Sequence, residues 1–328
     1  MLVKLVCPHC KVEVRSTETG AACSSCARVF SNKGGVLCFL DQSEAFNEGD
    51  FQDQNAEDWT VSAQQRDRIR QSRLFSLLNR LRIILSLSGR RDRLFYRGIK
   101  RSVPPPLILD LGCGGGRHYF ADYGRVVGVD PVLSLLQIAR QVYTGVYQGS
   151  AAALPFADES FDYVVSSDVI GHIPAQIKDA VFAEMFRVLK KGGRTLHMIE
   201  TDSTNWWFRY AHELPGFFQK YLVDRPGHIS LELPTQLRAR FLKHGFKEIT
   251  FQRTSTSIPE CGTLAIIFDP ASRKSSLRMR FLGGLDNLLG RNLLVREVTN
   301  VFLEPIARVN DLLHDLDDAG GALVIYEK

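Results

Sequence analysis

An apolar run that ends in an acid and three alternating glycines, Leu107-Ile108-Leu109-Asp110-Leu111-Gly112-Cys113-Gly114-Gly115-Gly116-Arg117, constrains this chain more than any other stretch. A short apolar run bounded by turn residues reads as a buried strand. Gly112, Gly114 and Gly116 then let the backbone turn sharply and lie close to a ligand. The pair predicts the first strand and ligand loop of a nucleotide-type α/β domain. A dinucleotide fingerprint would place a third glycine where Arg117 stands, and a P-loop would continue with Gly-Lys-Ser/Thr, so neither pattern fits. What remains is D-x-G-x-G-x-G, in which Asp110 puts a carboxylate where a ligand carries a positive amino group.

The next strand, Arg125-Val126-Val127-Gly128-Val129-Asp130, ends in a second acid twenty positions after the first. A carboxylate at that tip can accept two hydrogen bonds from ribose hydroxyls. A ligand with an amino group, a ribose and no phosphates describes S-adenosylmethionine. Further landmarks follow in order: Leu154-Pro155-Phe156-Ala157-Asp158-Glu159-Ser160-Phe161-Asp162, then Ser166-Ser167-Asp168, His172-Ile173-Pro174 and Arg187-Val188-Leu189-Lys190-Lys191-Gly192-Gly193-Arg194. On these residues the chain resembles the class I S-adenosylmethionine-dependent methyltransferases of the type 11 group.

The resemblance implies an α/β, Rossmann-like sheet of seven strands, six parallel and the last antiparallel. It implies cofactor contacts from Asp110, Gly112, Cys113, Gly114, Asp130, Pro131, Ser150, Ala151, Ser167 and Asp168. One departure stands out: relatives usually carry an acid for the adenine amino group where this chain has Ser150 and Ala151. A hydroxyl or backbone N–H there makes a weaker contact than a charge-assisted one.

Two Cys-x-x-Cys knuckles, Cys7/Cys10 and Cys23/Cys26, lie twelve residues apart near the start. Four thiolates at this spacing suit one tetrahedral, structural zinc, and a disulfide framework is the alternative. The segment resembles the zinc ribbons found ahead of some methyltransferase domains. The expected organisation is therefore a ribbon over 1–40, an acidic linker and basic helical region over 41–103, and a methyltransferase domain over 104–328. That domain is interrupted by insertions at about 201–232 and 255–320.

With 328 residues, 45% of them hydrophobic, the chain can bury one large core plus accessories. The longest apolar runs fall short of a membrane span and the first residues do not read as a signal peptide, so a cytoplasmic protein is expected. The net charge of +5 is modest, but arginines crowd the stretch from Arg66 to Arg101 among leucines at helical spacing. This reads either as an amphipathic helix with a solvated basic face or as a surface for RNA phosphates or an anionic membrane.

Sequence says less about the acceptor. The Ser167-Asp168 loop lacks the N/D-P-P-Y of adenine amino methyltransferases, and neither Cys113 nor Cys261 sits where a covalent thiol would act. His172 is a candidate general base or else shapes the cofactor wall. Past the fifth strand, Trp206, Trp207, Phe208, Tyr210, Phe217, Phe218 and Tyr221 read as a lid over an acceptor pocket or as a local core, with Asp202, His212 and His228 as polar candidates. The favoured acceptor is a small or lipid-like molecule. RNA held by the ribbon and the arginine-rich helix is the second reading, and a non-catalytic scaffold is the third. Leucines and valines between Phe281 and Leu313 recur at helical spacing and should pack on each other or on the basic helix.

Overall fold

The computed structural model of the protein describes residues 3–40, 73–224, 227–264 and 276–328. The acidic stretch 41–58 and residues 59–72 of the basic region lie outside the described residues. Four short strands open the chain: β1 (Val14–Thr17), β2 (Gly20–Cys23), β3 (Val29–Lys33) and β4 (Val36–Cys38). Each is antiparallel to the one before it. Helices α1 (Arg73–Leu85) and α2 (Arg90–Gly98) follow, separated by a tight turn at Leu87–Gly89. The chain then runs through β5 (Leu107–Leu111), α3 (His118–Ala121), β6 (Arg125–Asp130), α4 (Leu133–Ala139), β7 (Gly145–Gln148) and β8 (Phe161–Ser167). It continues with α5 (Ala175–Val188), β9 (Leu189–Glu200), α6 (Trp206–Glu213), α7 (Pro234–Lys243) and β10 (Lys247–Thr254). Helices α8 (Leu277–Gly290) and α9 (Leu293–Leu313) precede the last strand, β11 (Gly321–Glu327).

Seven of these strands form the expected sheet in the order β7-β6-β5-β8-β9-β11-β10, with β11 antiparallel to both neighbours. Strand β5 lies inside it between β6 and β8, and Ile108, Leu109 and Leu111 are fully buried because both faces are covered. Strand order reverses on either side of β5. Its carboxyl end is therefore the switch point at which open α/β sheets bind ligands. The sheet is longer than the sequence indicates, because β4 pairs parallel with β7 and carries the N-terminal strands into one continuous sheet of eleven.

Several local boundaries differ from the sequence reading. Leu133 to Tyr143 reads in sequence as one helix, but α4 ends at Ala139. Pro174 to Lys191 reads in sequence as one helix, but α5 stops at Val188, because Gly192 and Gly193 pair with Lys328 and draw 189–193 into β9. In sequence Thr235 reads as the cap of α7, but Pro234 occupies the first turn, where a missing N–H costs nothing, and Leu233 precedes it. The Thr235 hydroxyl donates instead to Asp317 Oδ2 at 2.8 Å.

The basic face is also less solvated than the sequence suggests. Arg90 and Arg93 are 3% and 6% exposed. Arg90 donates to Glu304 at 2.7 Å and to Asp311 at 2.5 Å, and Arg93 donates to Glu304 at 2.6 Å. Acids more than two hundred residues downstream consume these charges, which local reading cannot anticipate. Trp207, Phe208 and Phe217 are buried together in a small core of their own, joined by Trp206, Tyr210 and Phe218. No helix among the described residues is long and apolar enough to cross a membrane.

Candidate active site and cysteine cluster

The glycine loop leaves β5 with Gly112, Gly114 and Gly116 all at positive φ. At Gly112 a Cβ would also lie 2.7 Å from the Val169 side chain, so only glycine fits. Asp130 ties this loop to β6: one carboxylate oxygen accepts the Gly114 N–H at 2.8 Å and the other the Val132 N–H at 2.9 Å. Asp110 accepts from the Tyr143 hydroxyl at 2.6 Å, and that hydroxyl accepts the Arg117 N–H at 2.6 Å. Tyr143 was not singled out in the sequence, since nothing local marks a residue 33 positions away as the partner of Asp110. Cys113 packs against Gly128, where a Cβ would lie 2.6 Å from its sulfur. Pro131 presents its carbonyl to Gln148 at 2.9 Å.

Burial pushes the Asp110 carboxyl up to about 7, against the Tyr143 hydrogen bond and the Arg117 charge. Burial likewise pushes Asp130 up to about 6, against its two amide contacts. Buried carboxylates that hold protons this strongly equally favour a cationic ligand group. The donor set therefore fits a cofactor carrying an ammonium and a ribose.

The loop after β7 is held by its own backbone and by the N-terminal strands. The Ser150 hydroxyl accepts the Ala152 N–H at 3.2 Å, and Ala151 is half-buried beside it. The Val6 N–H donates to Pro155 O at 3.0 Å, the Ala157 N–H to Lys4 O at 3.1 Å and the Phe39 N–H to Gln148 O at 2.7 Å. Lys11 reaches Glu184 at 2.8 Å, and Glu184 accepts the Leu154 N–H at 2.7 Å.

Across the switch point, Ser167 donates to Asp168 at 3.1 Å, and Arg91 approaches the same carboxylate at 3.4 Å. Asp168 has a φ of 60°, an uncommon conformation for a non-glycine residue and one enriched near functional sites. Burial and then the Glu200 charge push its carboxyl up. Close by, ligand-type atoms of His172, Glu200 and His228 lie within 4.8 Å of one another. The His172 and His228 rings are 4.8 Å apart.

Backbone carbonyls fix the protons of this group. His228 Nδ1 faces Leu222 O at 2.7 Å and His172 Nδ1 faces Gly227 O at 2.9 Å, so each Nδ1 carries a proton. His228 Nε2 meets the Glu200 carboxylate, and a proton must lie between those two acceptors. The direction of both groups' pKa shifts favours an imidazolium paired with a carboxylate. Burial opposes this charge, but the Glu200 hydrogen bond and charge outweigh it and raise His228, while His228 in turn lowers Glu200. His172 is lowered, by burial first and also by the positive His228, against its Gly227 hydrogen bond and the charges of Glu200 and Asp168. It is therefore a neutral ring whose Nε2 is the acceptor.

Asp202 and His212, also read as candidates, meet each other at 3.5 Å, and the His212 ring stacks on Phe218. In sequence Glu200 reads only as the end of a strand. Its position at a strand's carboxyl end was the signal that could have found it.

At the N-terminus, Cys7, Cys10, Cys23 and Cys26 bring their sulfurs within 4.8 Å of one another. The Cys7–Cys26 and Cys10–Cys23 distances are 3.6 and 3.3 Å, and all four thiols are free. Tetrahedral thiolates with Zn–S bonds of about 2.3 Å would lie about 3.8 Å apart. The cluster fits a small zinc ribbon.

Comparison with known proteins agrees with this geometry. Residues 109–197 match the family model described as "Methyltransferase domain". A protein of Encephalitozoon cuniculi described as a methyltransferase is 34% identical over 157 residues, covering 43% of this chain and 74% of that protein. The chain belongs to the class I S-adenosylmethionine-dependent methyltransferases. The demethylmenaquinone methyltransferase of Bacillus licheniformis is 29% identical over 189 residues, 54% of this methyltransferase and 74% of that one. Among solved structures, phosphoethanolamine N-methyltransferase 2 of Haemonchus contortus, in complex with S-adenosyl-L-methionine, is similar to it with a TM-score of 0.43 at 21% identity. That likeness covers 73% of this chain and 51% of the other.

Proposed function

We propose that this methyltransferase transfers its methyl group to a small-molecule or lipid-like acceptor that gives up a proton to His172. The observation that carries the reading is the neutral His172 ring, with Nδ1 committed to Gly227 O, beside the ion-paired His228 and Glu200 at the carboxyl ends of β8 and β9. S-adenosylmethionine, when bound, supplies an electrophilic methyl on a sulfonium. Asp110 and the glycine loop Gly112, Cys113 and Gly114 would hold its amino-acid end. Asp130 and Pro131 would face the ribose, Ser150 and Ala151 the adenine edge, and Ser167 and Asp168 the approach to the acceptor. His172 Nε2 takes the acceptor's proton, and burial first, then the charge on His228, keeps that nitrogen unprotonated near neutral pH. Glu200 balances His228 and positions it. Cys7, Cys10, Cys23 and Cys26 hold a structural zinc, since four protein ligands leave no position for substrate.

Curated relatives named demethylmenaquinone methyltransferases make a quinol-type ring the first acceptor to try. Arg90 and Arg93 of the basic stretch are spent on Glu304 and Asp311, which removes two of its cations from any contact with RNA. The test is transfer of a labelled methyl group to a lipid extract, a demethylquinol and total RNA, with wild type and His172→Ala side by side. Label in the lipid or quinol fraction, lowered about 100- to 1,000-fold in the variant with S-adenosylhomocysteine binding unchanged, is expected. The pH profile should rise through a value below 6.5 and then level off. Label in RNA alone sinks the acceptor class, and full turnover by His172→Ala sinks the base.

A further inference from the structure

Helix α9 is built the wrong way round for water. Its buried stripe is Asn300, Glu304, Ala307 and Asp311, all less than 10% exposed. Its exposed stripe is apolar: Leu294 at 73%, Phe302 at 72%, Ile306 at 56%, Val309 at 58% and Leu312 at 77%. Helix α8 packs beside it and repeats the pattern, with Leu277, Phe281, Leu285 and Leu288 exposed at helical spacing. Among the described residues of α8, only Gly283 is buried. Helix α1, also in contact with α9, exposes Leu77, Leu81, Ile84 and Leu85. Scattered exposed leucines need no explanation, but continuous stripes along adjacent helices do.

Charge is sorted in the same sense. The four acids of α8 and α9 are committed to the protein's own groups. Asp286 accepts the Gly262 N–H at 2.9 Å, and Glu297 accepts the hydroxyls of Ser86 and Ser88 at 3.1 and 2.7 Å. Glu304 and Asp311 hold Arg90, and Glu304 also holds Arg93. Arg278, Arg280 and Arg291 are exposed, and none pairs with a carboxylate among the described residues. The surface offered outward is thus an aliphatic and phenylalanine stripe with a cationic rim.

We propose that the α8–α9 face docks on the surface of an anionic lipid bilayer. The committed occupant follows from shape and charge together. Helix α9 is about 31 Å long at 1.5 Å per residue, and its stripe runs along most of that length. An aliphatic face of this length with arginines beside it matches an interfacial helix, whose apolar side sinks into the acyl boundary while its cations meet lipid headgroups. Acids turned inward remove the repulsion an anionic surface would otherwise meet. This docking does not depend on which acceptor is methylated.

The test is flotation of the zinc-loaded full chain with vesicles of phosphatidylcholine alone or mixed with phosphatidylglycerol. Wild type should float with the mixed vesicles and more weakly with the neutral ones. Phe281→Asp with Phe302→Asp should weaken binding to both by about tenfold or more, since both side chains are exposed and their loss leaves the core intact. Arg278→Glu with Arg280→Glu should weaken binding to the mixed vesicles alone. Circular dichroism and S-adenosylhomocysteine binding unchanged from wild type confirm folding of each variant. Wild type that floats with neither vesicle overturns the proposal, as do phenylalanine variants that float like wild type. A wild-type dimer in sedimentation that the phenylalanine substitutions break, without any vesicle binding, assigns the face to a second copy and overturns it as well.

Discussion

At the residue scale, the buried Asp110 and Asp130, the acids proposed to hold the cofactor, set a pH dependence of definite sign. Asp110 and Asp130 sit at about 7 and about 6, well above the usual aspartate value, because both are buried. Their stabilising share is fully present below the unfolded value near 4 and is lost as pH rises through 6 and 7, where each carboxyl must ionise inside the protein. A ligand ammonium reverses that cost by pairing with the ionised form. Affinity for S-adenosylhomocysteine should therefore rise about tenfold from pH 6 to pH 8, following the ionised fraction of Asp110. Calorimetric titration at both values checks this. Asp110→Asn should bind more weakly at pH 8 and lose most of the slope. A slope that survives in the variant would assign the proton to another group. His172 bears on a different step, the acceptor's proton, so its substitution should leave this titration unchanged.

At the element scale, the N-terminal ribbon frames the loop after β7, the proposed adenine edge of the cofactor site. Strand β4 extends the sheet at β7, and Val6, Lys4 and Phe39 bond to backbone groups on both sides of the loop after β7. That loop carries Ser150 and Ala151, where the usual adenine acid is missing, so its rigidity matters more than in a site with a charged anchor. Removing the metal with a chelator, or Cys7→Ser with Cys10→Ser, should loosen the loop and weaken S-adenosylhomocysteine binding by about tenfold or more. Metal content measured beside the titration separates the two steps: lost zinc with unchanged affinity would show that the ribbon does not support the loop. The core strands were legible because β5, β6 and β8 announce themselves locally, by apolar runs ending in acids and glycines. The ribbon's docking was not, since Leu37 meets Tyr147 and Leu5 meets Phe156 only through the fold. The same holds for Tyr143 against Asp110, and for the His228 that an insertion brings to Glu200. The aromatic run around Trp206 shows the converse. Its composition is plain in sequence, but whether Trp207 and Phe208 line a pocket or fill a core depends on what packs above them, and they fill a core.

At the scale of the whole molecule, the late helical hairpin is fastened to the methyltransferase body by charge, while its apolar side faces out. Glu304 is the principal fastener: it is 5% exposed and accepts from Arg90 at 2.7 Å, Arg93 at 2.6 Å and Arg308 at 2.8 Å. Arg93 also donates to the carbonyls of Ile83, Ile84 and Ser86, so it joins the α1–α2 corner to α9. A buried network of this kind adds little net stability over a well-packed apolar one, yet removing one partner leaves the others charged and dry. Glu304→Ala leaves the buried Arg93 without a carboxylate and Arg90 with Asp311 alone, and urea unfolding should show a loss of about 3 kcal/mol. Glu304→Gln, which keeps the shape and some hydrogen bonds without the charge, should lose less. Because the hairpin has few buried apolar contacts of its own, the first effect of Glu304→Ala should be local: protease cleavage within 277–313 well below the denaturant needed to unfold the sheet. Cleavage that appears only with global unfolding would mean that α8 and α9 are held by more than this charge network, and that the hairpin and sheet unfold as one unit.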